Sequence, residues 1–176
     1  MEKELLNEQE IERILTRITS EILEKNNGAE NLCLIGIVTG GLYLAERIKR
    51  KIKETEGIDV PLGVLDISFY RDDINKIKAN KSVQPTNIPF SIDDKKVVLI
   101  DDVLYTGRSV RAAMDALMDF GRPSEIQLAV LIDRGHRELP IMANYIGKYI
   151  PTARNEKIKV YLKETSGKDS VVLMKQ

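Results

Sequence analysis

The sequence predicts an α/β fold, an open and mostly parallel sheet flanked by helices. Two observations carry this. Apolar runs of strand length, at residues 32–38, 60–70, 97–100 and 125–132, alternate with stretches whose apolar residues recur at helical spacing. In addition, Val97-Val98-Leu99-Ile100 passes through Asp101-Asp102 and a Gly directly into one of those helical stretches. Four consecutive apolar residues, three of them β-branched, suit a strand covered on both faces. Ligands of such sheets bind beyond the carboxyl ends of the strands.

In chain order, Asn7-Glu8-Gln9-Glu10 reads as a capping box, and Ile11, Ile14, Leu15, Ile18, Ile22 and Leu23 follow on one face of an amphipathic helix that Asn26-Asn27-Gly28 stops. The strand at Leu32 to Val38 contains the single Cys, Cys33, which is read as a small buried side chain and points to a reducing compartment. Thr39-Gly40-Gly41 opens a second helix through Leu42, Ala45, Ile48 and Ile52. Its outer Arg47, Lys49, Arg50, Lys51 and Lys53 read as a solvated surface. A strand is expected from Val60 to Tyr70. Residues 71–94 then form a long polar stretch with three Lys, at 76, 78 and 81. A structureless loop of that length implies work, such as closing over a site. After Ser109, Val110, Ala113, Met114, Leu117 and Met118 mark a helix ended by Gly121 and Pro123. Glu125 to Ile132 is the next strand, and beyond Pro140 there are β-like runs at Ile158 to Leu162 and Ser170 to Met174.

The 176 residues are read as one domain over 1–176. The 27 basic and 27 acidic residues cancel, which excludes a bulk field toward nucleic acid or membrane. The charge is unevenly spread, however: residues 1–30 hold eight acids against four bases, and residues 134–163 hold seven bases against two acids. No apolar segment is long enough to span a bilayer and no signal-peptide pattern is present, so the expected location is cytoplasmic.

The turn after the third apolar run carries the chemistry. Thr106, Gly107, Arg108 and Ser109 present backbone N–H groups at the positive end of a helix, with two hydroxyls beside them, which makes a phosphate seat. Asp101 and Asp102 would repel a phosphate, so they suit neutral donors such as vicinal hydroxyls, or a cation. The combination describes a ribose 5-phosphate site. A strand ending on solvated acids explains neither the paired acids behind four apolar residues nor the Thr-Gly-x-Ser. No Ser-His-acid set or zinc spacing appears, and His136 is the only His; it is assigned nothing catalytic.

Residues 97–109 resemble, position by position, the phosphoribosyl diphosphate (PRPP) signature of the type I phosphoribosyltransferases. The resemblance implies that fold with a small hood segment, ribose held by Asp101 and Asp102 as the catalytic carboxylates, and pyrophosphate against Thr39, Gly40 and Gly41. Mg2+ would be bound through PRPP or pyrophosphate, with no metal ligand of the protein's own. Tyr105 stands where enzymes of the hypoxanthine type usually carry an acid, which disfavours a purine substrate.

Segments outside that signature resemble a narrower family. They are Leu65-Asp66-Ile67-Ser68-Phe69-Tyr70-Arg71-Asp72-Asp73, the run 121–131, Asp133-Arg134-Gly135-His136-Arg137-Glu138-Leu139-Pro140-Ile141, Tyr145-Ile146-Gly147-Lys148 and Ile150-Pro151-Thr152. They look like the PyrR family, bifunctional pyrimidine-operon attenuation proteins and uracil phosphoribosyltransferases. The resemblance implies an RNA-binding regulator that, with UMP bound, grips a hairpin in pyrimidine-operon leader mRNA and promotes transcription termination, and whose pocket also makes UMP from uracil and PRPP. It places PRPP or UMP against Thr39, Gly40, Gly41, Arg71, Tyr105, Thr106, Gly107, Arg108 and Ser109, with the base near Ile132 and Asp133. It places RNA on Thr16, Arg17, Arg137, Lys148 and Thr152, and it implies a homodimer or higher homo-oligomer.

This chain departs from the family pattern at four positions. Val38-Thr39-Gly40-Gly41 replaces a common Lys-Thr-Arg-Gly turn, removing two cations; Ser20 replaces a His and Met142 an Arg. A salvage phosphoribosyltransferase for uracil or another base, without RNA regulation, therefore stays open, as does a nucleotide sensor without catalysis.

Overall fold

The computed structural model describes residues 2–68, 70 and 85–175. Five parallel strands run in the order β3 (Leu62–Leu65), β2 (Leu32–Ile37), β4 (Lys96–Leu104), β5 (Glu125–Asp133) and β6 (Tyr145–Tyr149). The order reverses direction between β2 and β4, the switch at which open α/β sheets form ligand sites.

Alternate residues of the central strands feed two cores. Leu34, Val98, Ile100 and Leu131 pack with Ile11, Leu15, Ile18 and Ile22 of α1 (Glu8–Asn26) and Ile48 and Ile52 of α2 (Gly40–Glu56). Cys33, Ile35, Val97 and Leu99 pack on the other face with Val110, Ala113 and Leu117 of α3 (Arg108–Leu117). Each fully buried Leu, Ile or Val stabilises by roughly 1.5–3 kcal/mol, so the apolar runs hold both layers to the sheet. The capping box closes in both directions, Glu10 N donating to Asn7 Oδ1 and Asn7 N to Glu10 Oε2.

A second, antiparallel sheet forms the hood, in the order β1 (Glu2–Leu6), β8 (Ser170–Lys175) and β7 (Glu156–Tyr161). Its Ile158 and Val171 join the α1/α2 core. The single turn α4 (Lys163–Ser166) separates β7 from β8.

Several elements differ from the sequence reading. β4 does not stop at the carboxylates: Asp101 pairs with Val130 and Leu104 with Asp133, because β5 continues to offer ladder partners. β3 ends at Leu65 rather than Tyr70, since Asp66 Oδ1 accepts from Ser68 N and Oγ and turns the chain out of the sheet. The last part of the expected 71–94 loop is packed. Asn87 bridges Val64, Ile92 is fully buried, and Ile88 and Phe90 cover the α3-side core. β1 and β6 were not expected; each is a five-residue edge strand whose pairing comes from a distant partner. Arg71 lies outside the described residues. Among those described, no helix is long and apolar enough to cross a membrane.

Candidate active site

The carboxyl ends of β2, β4 and β5 bring the expected turns together. After Leu104 the chain reverses through Tyr105, Thr106 and Gly107, whose φ of +94° is one that a residue with a Cβ rarely adopts, and α3 starts at Arg108. Beside this turn lies a cleft of about 230 Å³, lined by Asp101, Tyr105, Thr106, Arg108, Ser109 and, from the hood, Lys157.

The two acids are held by the strand's own backbone. Asp101 Oδ1 accepts from Asp102 N at 2.9 Å, and Asp102 Oδ1 from Val103 N at 2.8 Å. Asp102 stands against the opening of α2, where a Cβ on Gly40 would lie 2.5 Å from Asp102 Oδ2. A Cβ on Gly41 would lie 2.1 Å from the Ile100 carbonyl oxygen. Glycines at 40 and 41 thus let the first turn of α2 rest on the end of β4. The Val38–Thr39 peptide is cis, and Thr39 makes no side-chain capping bond.

The residues after Ile132 form the outer wall. Ile132 is fully buried, and Asp133 is 4 % exposed, its carboxylate accepting from Gly135 N at 2.9 Å and Arg137 Nη2 at 2.7 Å. Neither side chain is among those that line the cleft. Arg134, which sequence reasoning did not single out, is 6 % exposed and lines the cleft; its guanidinium carbon sits 4.0 Å from the centre of the Tyr105 ring. It donates to Thr152 Oγ1 and to the Ala153 and Glu156 carbonyls, so it ties the entry of β7 to the site. His136 meets the Tyr105 ring edge-on at 5.9 Å and contacts the Thr152 carbonyl through Nε2. The basic surplus over residues 134–163 was the available signal for Arg134, but it carries no information on which cations turn inward.

The expected RNA residues do not share one surface on this chain. Thr16, Arg17 and Lys148 meet at a corner of α1 and β6. Arg17 Nη2 donates to the Ile146 and Gly147 carbonyls, Thr16 Oγ1 accepts from Lys51 Nζ, and Lys148 is exposed. Thr152 is buried under Arg134, and all three nitrogens of the Arg137 guanidinium bond inside the chain. Ser20 Oγ donates back to the Thr16 carbonyl of its own helix, while Met142 is exposed.

A larger cleft, of about 540 Å³, lies away from the strand ends between α1, α2 and the hood. Its charges largely cancel in pairs: Arg47 with Glu164 and Asp169, Lys51 with Glu12, and Lys163 with Glu8. Such a surface has little net charge left for a phosphorylated ligand, which leaves the cleft at the strand ends as the candidate site.

Comparison with known proteins gives the family and the fold of the chain. The family model described as the phosphoribosyl transferase domain matches residues 1–164. The chain is 57 % identical over 169 residues to "Bifunctional protein PyrR" of Deinococcus radiodurans, covering 96 % of this chain and 92 % of that protein. It is also 57 % identical over 174 residues to the protein of the same name from Listeria monocytogenes serotype 4b, covering 97 % and 94 %. Among solved structures, a hypoxanthine phosphoribosyltransferase from Staphylococcus aureus superposes with a TM-score of 0.72 at 21 % identity, covering 99 % of this chain and 92 % of that one. At that identity the likeness is one of fold.

Proposed function

The chain belongs to the phosphoribosyl transferase domain family and, within it, to the PyrR family, and from that premise we propose that it is a UMP-responsive RNA-binding regulator of pyrimidine-operon expression that also converts uracil and PRPP to UMP and pyrophosphate. The observation that carries this reading is the juxtaposition of Asp101 and Asp102 with two turns that each open a helix. The Tyr105–Ser109 turn lies on one side, and the Gly40–Gly41 opening of α2 on the other.

In this reading the 5-phosphate lies on the backbone N–H groups at the start of α3, where the helix dipole favours an anion. Asp101 and Asp102 accept from the ribose 2′ and 3′ hydroxyls, and their charge favours positive character developing at the C1 carbon. The C1–O bond to pyrophosphate breaks as the bond from C1 to uracil N1 forms, and the N1 proton passes to solvent water. Thr39, Gly40 and Gly41 receive the departing pyrophosphate on the backbone N–H groups that open α2. Magnesium reaches the site with PRPP as part of the substrate and neutralises charge on the leaving group. Tyr105, backed by Arg134, and the hood residues Lys157 and Ile158 narrow the cleft around the sugar and base. Thr16, Arg17 and Lys148 provide the RNA corner, a homo-oligomer extends it, and its Lys and Arg neutralise phosphates while loops read exposed bases.

A salvage enzyme without RNA regulation is the second reading. It is favoured by the inward engagement of Arg137 and Thr152 and by the exposed Met142. Two assays separate the readings: UMP formation from uracil, PRPP and Mg2+, and equilibrium binding of a leader hairpin from the protein's own pyrimidine operon, with and without UMP, across a salt series. Turnover together with salt-sensitive RNA affinity that tightens with UMP establishes the regulator. Turnover with weak binding to any RNA, indifferent to UMP, selects the salvage enzyme. RNA binding that tightens with UMP, without turnover, selects a sensor.

A further inference from the structure

Three consecutive carbonyls of the phosphate turn are pulled outward by one neighbouring segment. Arg134 N donates to the Leu104 carbonyl at 3.1 Å, Arg137 Nη1 to the Tyr105 carbonyl at 2.6 Å, and Glu138 N to the Thr106 carbonyl at 2.9 Å. In a planar trans peptide the C=O of one residue and the N–H of the next point in opposite directions. The N–H groups of Thr106 and Gly107 therefore face away from residues 134–138. They join those at the start of α3 in the direction from which an anion approaches.

Two of the three anchors are backbone groups that any residue would provide. The middle one is a side chain, and it is firmly placed. Arg137 Nε donates to the Ile141 carbonyl at 2.8 Å, Nη2 bonds Asp133 Oδ2 at 2.7 Å, and its Cδ would lie 3.5 Å from a Cβ on Gly107. The Asp133 side chain is itself 5 % exposed and also receives Gly135 N, so the guanidinium has one available orientation. Arg108 adds a second tie across the same junction, to Glu138 at 3.3 Å.

We infer that Arg137 is a positioning residue for the phosphate site: it orients the Tyr105–Thr106 peptide so that its N–H faces the nucleotide phosphate. The assignment rests on the functional reading above, with a nucleotide 5-phosphate in the Thr106–Ser109 turn. It also changes what Arg137 is expected to do. As a residue of the RNA face alone, its loss would spare the pocket; as an anchor of the turn, its loss weakens nucleotide binding even when no RNA is present.

The test is calorimetric titration of the full RNA-free chain with UMP and, separately, with uridine, which lacks the phosphate. Unsubstituted protein, Arg137→Met and Arg137→Lys are compared. Arg137→Met is expected to lose about tenfold or more in UMP affinity, the effect of one charge-assisted hydrogen bond. Its uridine affinity should change less than about twofold. Arg137→Lys, with one donor able to reach the Tyr105 carbonyl, should fall between. UMP affinity equal to that of the unsubstituted chain in folded Arg137→Met overturns the assignment. So does an equal loss for UMP and uridine, which would mark a general structural role. If Arg137→Met does not fold, Arg137→Lys is judged by the same criteria. Failure of the unsubstituted chain to bind UMP at all overturns the functional reading itself and the assignment with it.

Discussion

Replacing Arg47 by Met should loosen the hood, and the size of the effect can be worked from the contacts. Arg47 projects from α2 with 11 % of its side chain exposed. It grips Asp169 through Nη1 at 2.7 Å and Nη2 at 2.8 Å, and Glu164 through Nε at 2.9 Å and Nη2 at 2.6 Å. Asp169 is 5 % exposed at its side chain and also accepts from Lys163 N, so it ends the turn that leads into β8. Removing one partner of a buried pair costs about 3–5 kcal/mol, because the other charge is left without compensation. The Glu164 side chain is 29 % exposed, so its half of the clamp is screened and adds well under 1 kcal/mol. About 3 kcal/mol is expected, or a Tm lower by about 6–12 °C for a domain of this size. Arg47→Met with Asp169→Asn should recover much of this, because the Asn oxygen still accepts from Lys163 N while the orphaned charge is gone. Burial works to raise the Asp169 carboxyl, but the hydrogen bonds from Arg47 and Lys163 N outweigh it and hold it below 3.8; Arg47 likewise lowers Glu164. A depressed carboxyl stabilises the fold above its ordinary value and ceases to do so as pH falls through its folded value. The gap between Arg47→Met and the unsubstituted chain should therefore be full at pH 7, begin to close below about pH 4 and vanish once the pH is below the folded value. Urea unfolding followed at both pH values measures it. A loss under about 1 kcal/mol at pH 7, or a double variant no more stable than the single, would refute the buried-clamp argument.

Asp102→Asn should fold normally, since the Asn oxygen can accept from Val103 N, yet lose about a hundredfold in UMP formation; unchanged turnover removes the ribose assignment. Gly41→Ala should cost about 3 kcal/mol or more, because its methyl would sit 2.1 Å from a backbone oxygen that cannot swing away; a Tm within 2 °C of the unsubstituted chain would show that α2 can shift. Burial pushes the Cys33 thiol up to about 11, partly offset by Lys95, so a disulfide reagent at pH 8 should leave the native chain unmodified and titrate one thiol in denaturant. Rapid reaction of the native chain would mean that the strand opens. Lys148→Ala should reduce the salt slope of RNA binding by about one unit while leaving UMP formation intact, and an unchanged slope would take the α1/β6 corner out of the RNA face.

The fold and the core of the site were legible because their signals are local. The capping box, the apolar stripe of α1, the four-residue apolar run of β4 and the glycine at 107 each state their conformation within a few residues. What escaped depends on distant partners. β1 alternates too briefly among charges to be recognised, and it exists as a strand because β8 supplies its ladder. β6 contains Gly147, where a Cβ would lie 2.3 Å from the Leu131 oxygen; the reason for that glycine is a neighbouring strand, invisible along the chain. Arg47, Arg134 and Arg137 look in sequence like solvent or RNA cations. Each is turned inward by carboxylates or carbonyls that fold next to it, from residues 4 to 122 positions away.

The cations missing from the Val38–Gly41 turn have a structural counterpart. An arginine at position 40 would begin with a Cβ 2.5 Å from Asp102 Oδ2, so it requires the Asp102 carboxylate to rotate from its present place or the turn to swing away from β4. Glycine at 40 removes a charge and at the same time allows α2 to close on the carboxylate strand. Gly36 extends the same contact, since a Cβ there would lie 2.5 Å from Leu42 Cα. In the proposed reaction the turn offers pyrophosphate the N–H groups of a helix start; the first turn of α2 carries no acid of its own, and the carboxylate beside it is that of Asp102. A family turn with two cations would hold pyrophosphate by charge, whereas in the proposed reaction this one holds it by backbone geometry, with magnesium arriving as part of the PRPP substrate. The phosphate turn at the other side of the cleft follows the same logic, since its N–H groups are aimed by bonds made on the opposite side of the peptide. In both places the residues that matter act by placing backbone, and for that reason Gly40 and Arg137 belong in one account of the site.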